Sequence, residues 1–127
     1  MLRTFAYVRP ASVSEALKQI EGRGAHIHAG GTDLLGCLRD GVFEAATIVS
    51  LAKIGELRGI SVAPDGELRL GALATIAEIA SHQQVADSFA ALSQAAAVVA
   101  SPQLRNQGTI GGHRCQRPRC WYFRGDY

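Results

Sequence analysis

Apolar positions follow two different periods in the first part of the chain. Residues 5–8 form a short apolar run, and residues 25–29 alternate between apolar and polar side chains, as strands do. Between them, apolar residues recur at helical spacing after Ser12, which is followed three residues later by a Glu and so opens a capping box. The order of strand, helix and strand predicts a small parallel βαβ unit that ends in a glycine-rich loop.

A third strand and a hairpin follow. Residues 47–51 are a short apolar strand sequence, and residues 52–57 predict one helical turn. Residues 59–63 and 67–71 have strand patterns on either side of a Pro-Asp-Gly turn sequence. We therefore expect an antiparallel hairpin after the third strand.

Helical patterns fill most of the remaining chain. Thr75 and Glu78 form a second capping box at the start of a helix. Residues 89–100 predict an Ala-rich helix that the following Ser-Pro pair ends. Residues 104–110 predict a connection or a short strand that leads into a second glycine-rich loop.

These elements predict an α+β fold in two parts. We expect an N-terminal βαβ subdomain at residues 1–57 and the beginning of a second, incomplete subdomain at residues 58–127. The length of 127 residues and a hydrophobic content of 47% suit one modest domain with a real core.

Composition excludes several functional classes. The net charge of +2 favours no charged partner, and no apolar run approaches the roughly 20 residues that span a bilayer. The N-terminus leads into a strand and not into a signal sequence. The three cysteines are too few for a disulfide framework and fit reduced thiols or a partial metal site. We expect a cytoplasmic protein without membrane partners.

Two glycine pairs next to a threonine carry the candidate chemistry. The first loop, Ala29–Leu34, has the sequence AGGTDL, and the second loop, Gly108–His113, has the sequence GTIGGH. Glycines let a backbone approach a ligand and expose N–H groups, which together with a hydroxyl can bind an anion such as a dinucleotide pyrophosphate. The common nucleotide motifs are absent, and for each loop alone a plain turn is the competing interpretation. Arg105 and Arg114 lie nearby and could neutralise a phosphate, although such side chains are more often in solvent.

The cysteines and histidines indicate no catalytic set. Cys115 and Cys120 lack the further ligands that a zinc site or a cubane cluster needs, and Cys37 has the position of a core residue. His26 and His28 share a strand face without a third ligand, so we expect partly buried or surface histidines.

A basic and aromatic segment, residues 114–124, closes the chain. Its arginines and its Trp-Tyr-Phe run could imitate a surface for single-stranded nucleic acid. The competing interpretation is a packed strand, which we prefer, and we expect no nucleic-acid partner.

Three motifs in order resemble the FAD-binding medium subunit of molybdenum hydroxylases, the group of xanthine dehydrogenase, aldehyde oxidoreductase and carbon monoxide dehydrogenase. They are F-x-Y-x-R-P-x-S-x-x-E-A-L at residues 5–17, AGGTDL at residues 29–34 and LRNQGTIGG at residues 104–112. The resemblance covers nearly the whole chain. It implies an FAD-binding domain of the vanillyl-alcohol-oxidase (PCMH) type.

The resemblance also implies which residues bind the cofactor. Gly71, Ala72 and Thr75 would make flavin-side contacts. The two loops would clamp the FAD pyrophosphate through Ala29, Gly30, Gly31, Thr32, Asp33, Leu34, Gly108, Thr109, Ile110, Gly111, Gly112 and His113.

The closing residues, from Cys115 onward, are similar to the branch of the family whose flavin subunit carries an extra [4Fe–4S] cluster. Cys120 matches a cluster ligand of that branch, and Cys115 matches less well. The implied partners are a large subunit with the molybdenum cofactor and a small subunit with [2Fe–2S] clusters. Electrons would pass from iron–sulfur clusters to FAD and then to an external acceptor, and the resemblance implies no catalytic side chain here.

Two departures from the family pattern matter. The usual Asn after the second glycine pair is His113 here, which changes that contact. The family subunit continues for well over a hundred residues, so the chain would be a fragment, a truncated product or a split subunit. The alternative function is a non-catalytic α+β module that binds a partner and holds no stable FAD.

Overall fold

The computed structural model describes residues 2–125. Strands β1 (Ala6–Val8), β2 (Ala25–His28) and β3 (Thr47–Ser50) form a parallel sheet in the order β1-β3-β2. The predicted parallel unit is present, but β3 lies between the two strands that the sequence suggests as neighbours. The physical reason is burial: Ile48, Val49 and Ser50 of β3 are at most 1% exposed, which suits a central strand covered on both faces.

Helix α1 (Val13–Ile20) connects β1 to β2, as predicted. The Ser12 hydroxyl accepts a hydrogen bond from Glu15 N at 3.2 Å. The Glu15 carboxylate accepts from Ala11 N at 2.8 Å and not from Ser12 N, so only half of the expected capping box forms. Ala16 packs with Val49 and Ile54 in a buried cluster against the sheet.

Helix α2 (Leu34–Arg39) follows the first glycine loop. It buries Cys37 completely, which confirms that residue as part of the core. Asp33 occupies the N-cap position of α2 without making a side-chain cap hydrogen bond. The helical turn expected before residue 58 is a 3₁₀ turn at Gly55–Leu57.

The hairpin is confirmed in β4 (Ile60–Val62) and β5 (Leu68–Leu70), which pair antiparallel. At the next helix the Thr75 capping box is complete, with Glu78 N donating to the Thr75 hydroxyl and Thr75 N donating to the Glu78 carboxylate. The helices that follow the hairpin contribute the residues of a second buried cluster, which are Ile76, Ile79, Val85 and Ala96. Those helices are α3 (Ile76–Ser81), α4 (Gln83–Ser88) and α5 (Ala90–Val98).

The last third of the chain is more helical than the sequence pattern predicts. The expected connection or strand at residues 104–110 is instead helix α6 (Pro102–Gln107), which Ser101 caps by accepting from Leu104 N at 3.3 Å, followed by α7 (Ile110–Arg114). The expected packed strand at the aromatic run is helix α8 (Trp121–Arg124). Its Trp121 is 80% exposed, so the aromatic run does not bury itself as a core strand would.

Within residues 2–125, no helix is long and apolar enough to cross a membrane. The subdomain boundary near residue 58 stays a prediction.

Candidate functional site

The structure brings the two glycine loops together. A Cβ added to Gly30 would lie 2.0 Å from the carbonyl oxygen of Gln107 and 3.2 Å from Cα of Gly108. A Cβ added to Gly108 would lie 3.6 Å from the Thr32 hydroxyl. Only a residue without a side chain allows this approach, so Gly30 places the first loop directly against the end of α6 and the start of the second loop.

The backbone donors of the first loop are unused. Gly31 has a φ of 76°, a conformation that favours glycine, and its carbonyl accepts from Leu35 N at 3.1 Å. In the described part of the chain, no hydrogen bond involves the N–H of Gly30, Gly31, Thr32 or Asp33, nor the Thr32 hydroxyl. These groups are half-buried donors that a ligand can satisfy. Ala29 and Leu34, at the two ends of the loop, are half-buried as well.

Most backbone donors of the second loop are hydrogen-bonded within the protein. Thr109 is the N-cap of α7, and its hydroxyl accepts from Gly112 N at 3.1 Å. Ile110 N and Gly111 N donate to carbonyls of residues 74 and 72 at 2.8 and 2.9 Å. His113 N donates to Thr109 O at 2.8 Å. The expectation of bare amides on this loop is therefore wrong for these residues, because they form a helix turn and pair with a neighbouring segment.

That neighbouring segment contains the other predicted contacts. A Cβ at Gly111 would lie 2.8 Å from the carbonyl oxygen of Ala72, and one at Gly71 would lie 2.5 Å from the carbonyl oxygen of Leu57. Thr75 pairs with Thr109 in an isolated antiparallel bridge. Ala72 and Thr75 therefore position the second loop, whereas Gly71 packs against residues 57 and 58, and the contacts of all three to a cofactor stay a prediction.

A cavity of about 260 Å³ lies where the loops meet. Such a volume is near the lower end of small-molecule pockets, which span roughly 300–1,000 Å³. Its wall includes residues of both loops, namely Thr32, Asp33, Gly108, Thr109, Gly112 and His113. A smaller cavity, of about 110 Å³, contains no residue of either loop.

Sequence reasoning missed two polar residues of this wall, Gln116 and Arg119, and four apolar ones, Ile76, Val99, Ala100 and Leu104. The available signal was the run of arginines near the C-terminus, which the structure folds back onto the first loop. Arg105 also lines the cavity, but its Nη1 donates to the carbonyls of Val99 at 2.8 Å and Ala100 at 3.2 Å. Arg105 is thus committed to holding the turn between α5 and α6.

The carboxylate of Asp33 is the anchor of that C-terminal segment. It accepts from Arg117 N at 3.1 Å and from Arg124 Nη2 at 2.7 Å. This engagement explains why Asp33 does not cap α2. The hydrogen bond to Asp33 raises the pKa of the Arg124 guanidinium above its ordinary value, so Arg124 stays charged.

One of the three thiols is buried and two are exposed. Burial raises the pKa of Cys37, and the Asp33 charge adds to that effect, so Cys37 is a neutral thiol. Cys115 and Cys120 are exposed and free. Among residues 2–125, no group of three or more His, Cys, Asp and Glu side chains is arranged to hold a metal ion, and the cluster ligands stay a prediction.

Comparison with known proteins places the chain in a family. Residues 3–120 match the family described as the FAD binding domain in molybdopterin dehydrogenase. The aldehyde oxidoreductase FAD-binding subunit of Escherichia coli is 37% identical over 123 residues, which cover 96% of this chain and 38% of that protein. The chain thus spans less than two fifths of the length of this relative.

Solved structures show the same fold. Quinoline 2-oxidoreductase from Pseudomonas putida 86 superposes with a TM-score of 0.83 at 33% identity, covering 88% of this chain and 39% of that one. Carbon monoxide dehydrogenase from Hydrogenophaga pseudoflava superposes with a TM-score of 0.85 at 32% identity, covering 88% and 39%. With a family match over most of its length and the α+β architecture of these flavin domains, the chain belongs to the FAD-binding domain family of the molybdopterin dehydrogenases, the medium subunits of the xanthine, aldehyde and carbon monoxide dehydrogenase group.

Proposed function

We propose that this chain is the FAD-binding part of an electron-transfer subunit in a molybdenum-containing hydroxylase. The observation that carries the proposal is the first loop, whose N–H groups from Gly30 to Asp33 have no partner in residues 2–125, while Thr32 and Asp33 of the same loop line the cavity. A row of unpaired donors is the chemistry that a pyrophosphate satisfies.

The donor set fits the pyrophosphate of FAD. The first loop supplies backbone and hydroxyl donors, and the second loop supplies a wall that its own hydrogen bonds hold rigid. A preorganised wall lowers the entropy that binding costs. In this proposal the binding residues are those of both loops, residues 29–34 and 108–113, with Gly71, Ala72 and Thr75 behind the second loop on the flavin side.

FAD supplies the electron-transfer chemistry when bound, and the chain supplies its binding and orientation. In the proposed enzyme, which is cytoplasmic, a large partner subunit carries the molybdenum cofactor and a small one carries [2Fe–2S] clusters. Cys120, with Cys115 as a weaker candidate, would contribute to a [4Fe–4S] cluster of the complete subunit. The proposed organisation places the binding loops in two subdomains, residues 1–57 and 58–127.

The experiment that tests the proposal measures flavin binding by the purified chain. We expect FAD to remain with the protein through gel filtration, with flavin absorbance near one equivalent. Riboflavin, which has no phosphate, is the control ligand and should bind much more weakly. A chain that stays colourless after incubation with FAD contradicts the proposal and favours the alternative, a non-catalytic module that binds only a partner.

A further inference from the structure

The arginines near Asp33 differ in how many of their side-chain N–H donors already make contacts within the protein. The guanidinium of Arg117 lies over the Phe43 ring, 4.9 Å from its centroid. Arg124 is only 21% exposed, and its Nε donates to Pro118 O at 3.0 Å while its Nη2 is held by Asp33. The side chains of Arg117 and Arg124 therefore stabilise the position of the C-terminal segment.

Arg119 is different, because it lines the cavity and keeps most of its donors free. Its Nη2 donates to the carbonyl oxygen of Thr32 at 3.3 Å and lies 3.5 Å from Asp33 Oδ1. The side chain is 57% exposed, and no other hydrogen bond of Arg119 occurs among residues 2–125. A guanidinium has five N–H donors, so several remain for a ligand beside the first loop.

We propose that Arg119 is a phosphate-binding residue, which the Asp33 carboxylate holds over the first glycine loop so that it donates to the pyrophosphate of the dinucleotide. This inference rests on the proposed FAD site and names a residue outside both loops. The Asp33 side chain then acts as a positioning group through Arg119, while the Asp33 N–H remains one of the backbone donors of the first loop.

The charges around the loop support this role. Three arginines, Arg117, Arg119 and Arg124, outnumber the two nearby carboxylates of Asp33 and Asp40, so the site keeps a positive excess that a pyrophosphate would neutralise. Arginine suits this task because its planar group can donate two parallel hydrogen bonds to phosphate oxygens.

The test compares Arg119→Gln, Arg119→Lys and the control Arg114→Gln in the full chain. Arg114 belongs to the same basic segment, is exposed and lies outside the cavity wall, so its substitution removes the same charge elsewhere. Calorimetry with FAD, inorganic pyrophosphate and riboflavin measures affinity, and circular dichroism verifies folding. We expect Arg119→Gln to weaken FAD and pyrophosphate binding about tenfold or more without affecting riboflavin. Arg119→Lys should retain part of the affinity.

A double-mutant cycle tests the positioning role. Asp33→Ala should weaken pyrophosphate binding in the wild-type background and have little further effect beside Arg119→Gln. A purely structural role of Asp33 predicts equal losses in both backgrounds.

The outcomes separate this inference from the proposed function. If FAD binds and Arg119→Gln matches the wild type, or Arg114→Gln loses as much affinity, the Arg119 contact is overturned and the FAD site stands. If pyrophosphate binds through Arg119 but FAD does not bind, the FAD assignment fails and the contact survives. Binding of neither ligand overturns both.

Discussion

The first and second glycine loops contain nearly the same residue types and use them in opposite ways. In the first loop, residues 29–34, the backbone N–H groups from Gly30 to Asp33 lack partners among the described residues. In the second loop, Gly112 N donates to the Thr109 hydroxyl, and the neighbouring amides donate to carbonyls. Similar composition therefore yields one loop with donors for a ligand and one with donors spent on the fold.

The order of the residues explains the Gly112 donor, and the tertiary pairing with residues 72 and 74 explains the donors of Ile110 and Gly111. In the second loop the threonine precedes the glycines, so its hydroxyl reaches the amide three residues later as an N-cap does. In the first loop Thr32 follows the glycine pair and cannot cap it. The amides of the first loop are thus left for another acceptor.

Separating the two loops should have the largest effect. Gly30→Ala places a Cβ 2.0 Å from Gln107 O, which is backbone and cannot swing aside. We expect a loss of about 3 kcal/mol or more in the free energy of unfolding and a loss of FAD binding. Urea denaturation measures the first and flavin fluorescence the second.

Gly36→Ala is the matched control. A Cβ at Gly36 meets nothing within 4 Å, and the residue lies inside α2. This change should raise stability by about 0.5–1 kcal/mol, since alanine is the better helix former. Equal stability of the two variants would show that the loops do not touch as described.

Replacing each loop's threonine in turn should have an effect of intermediate size and tests the contrast between the two loops. Thr109→Val removes a buried N-cap, which we expect to cost about 1–2 kcal/mol of stability, whereas Thr109→Ser should retain most of the cap. Thr32→Val removes an unpaired hydroxyl, so we expect stability within about 0.5 kcal/mol and FAD affinity reduced about fivefold to tenfold. Thermal unfolding measures the stability of each variant, and fluorescence titration measures its affinity for FAD. Equal stability losses would remove the contrast between the loops.

The smallest effect concerns pH and the histidine below the first loop. His28 Nδ1 is buried without a hydrogen-bond partner in the described residues, and burial lowers the pKa of His28 from its ordinary value. The unfolded chain therefore takes up a proton below about pH 6.5, while the folded chain resists it. Stability should fall as the pH falls through this range.

His28→Gln should make that decline less steep. Chemical denaturation between pH 8 and pH 5 measures it, with each protein at pH 8 as its own reference. A slope identical to that of the wild type would show that His28 does not couple stability to pH.

Local signals were sufficient where neighbours in sequence make the contacts. The Thr75 capping box and the Pro-Asp-Gly hairpin formed as predicted, because their hydrogen bonds join residues a few positions apart. Residues 104–107 lie in a helix where a connection or strand is predicted, because the Ser101-Pro102 pair that ends the preceding helix also caps and opens α6. The aromatic run forms helix α8 and not the predicted strand, because the residue pattern along the sequence does not indicate that these side chains are exposed.

The sequence by itself determined the strands, helices α1, α3 and α5, the two glycine loops and, through its motifs, the family. Only the tertiary structure decided that β3 lies in the centre of the sheet, that the two loops meet at Gly30, and that Asp33 binds arginines. It also decided which loop keeps free donors. The physical reason is distance along the chain: the Asp33–Arg124 contact joins residues 91 positions apart, and no local pattern encodes which distant donors a carboxylate or a backbone will meet.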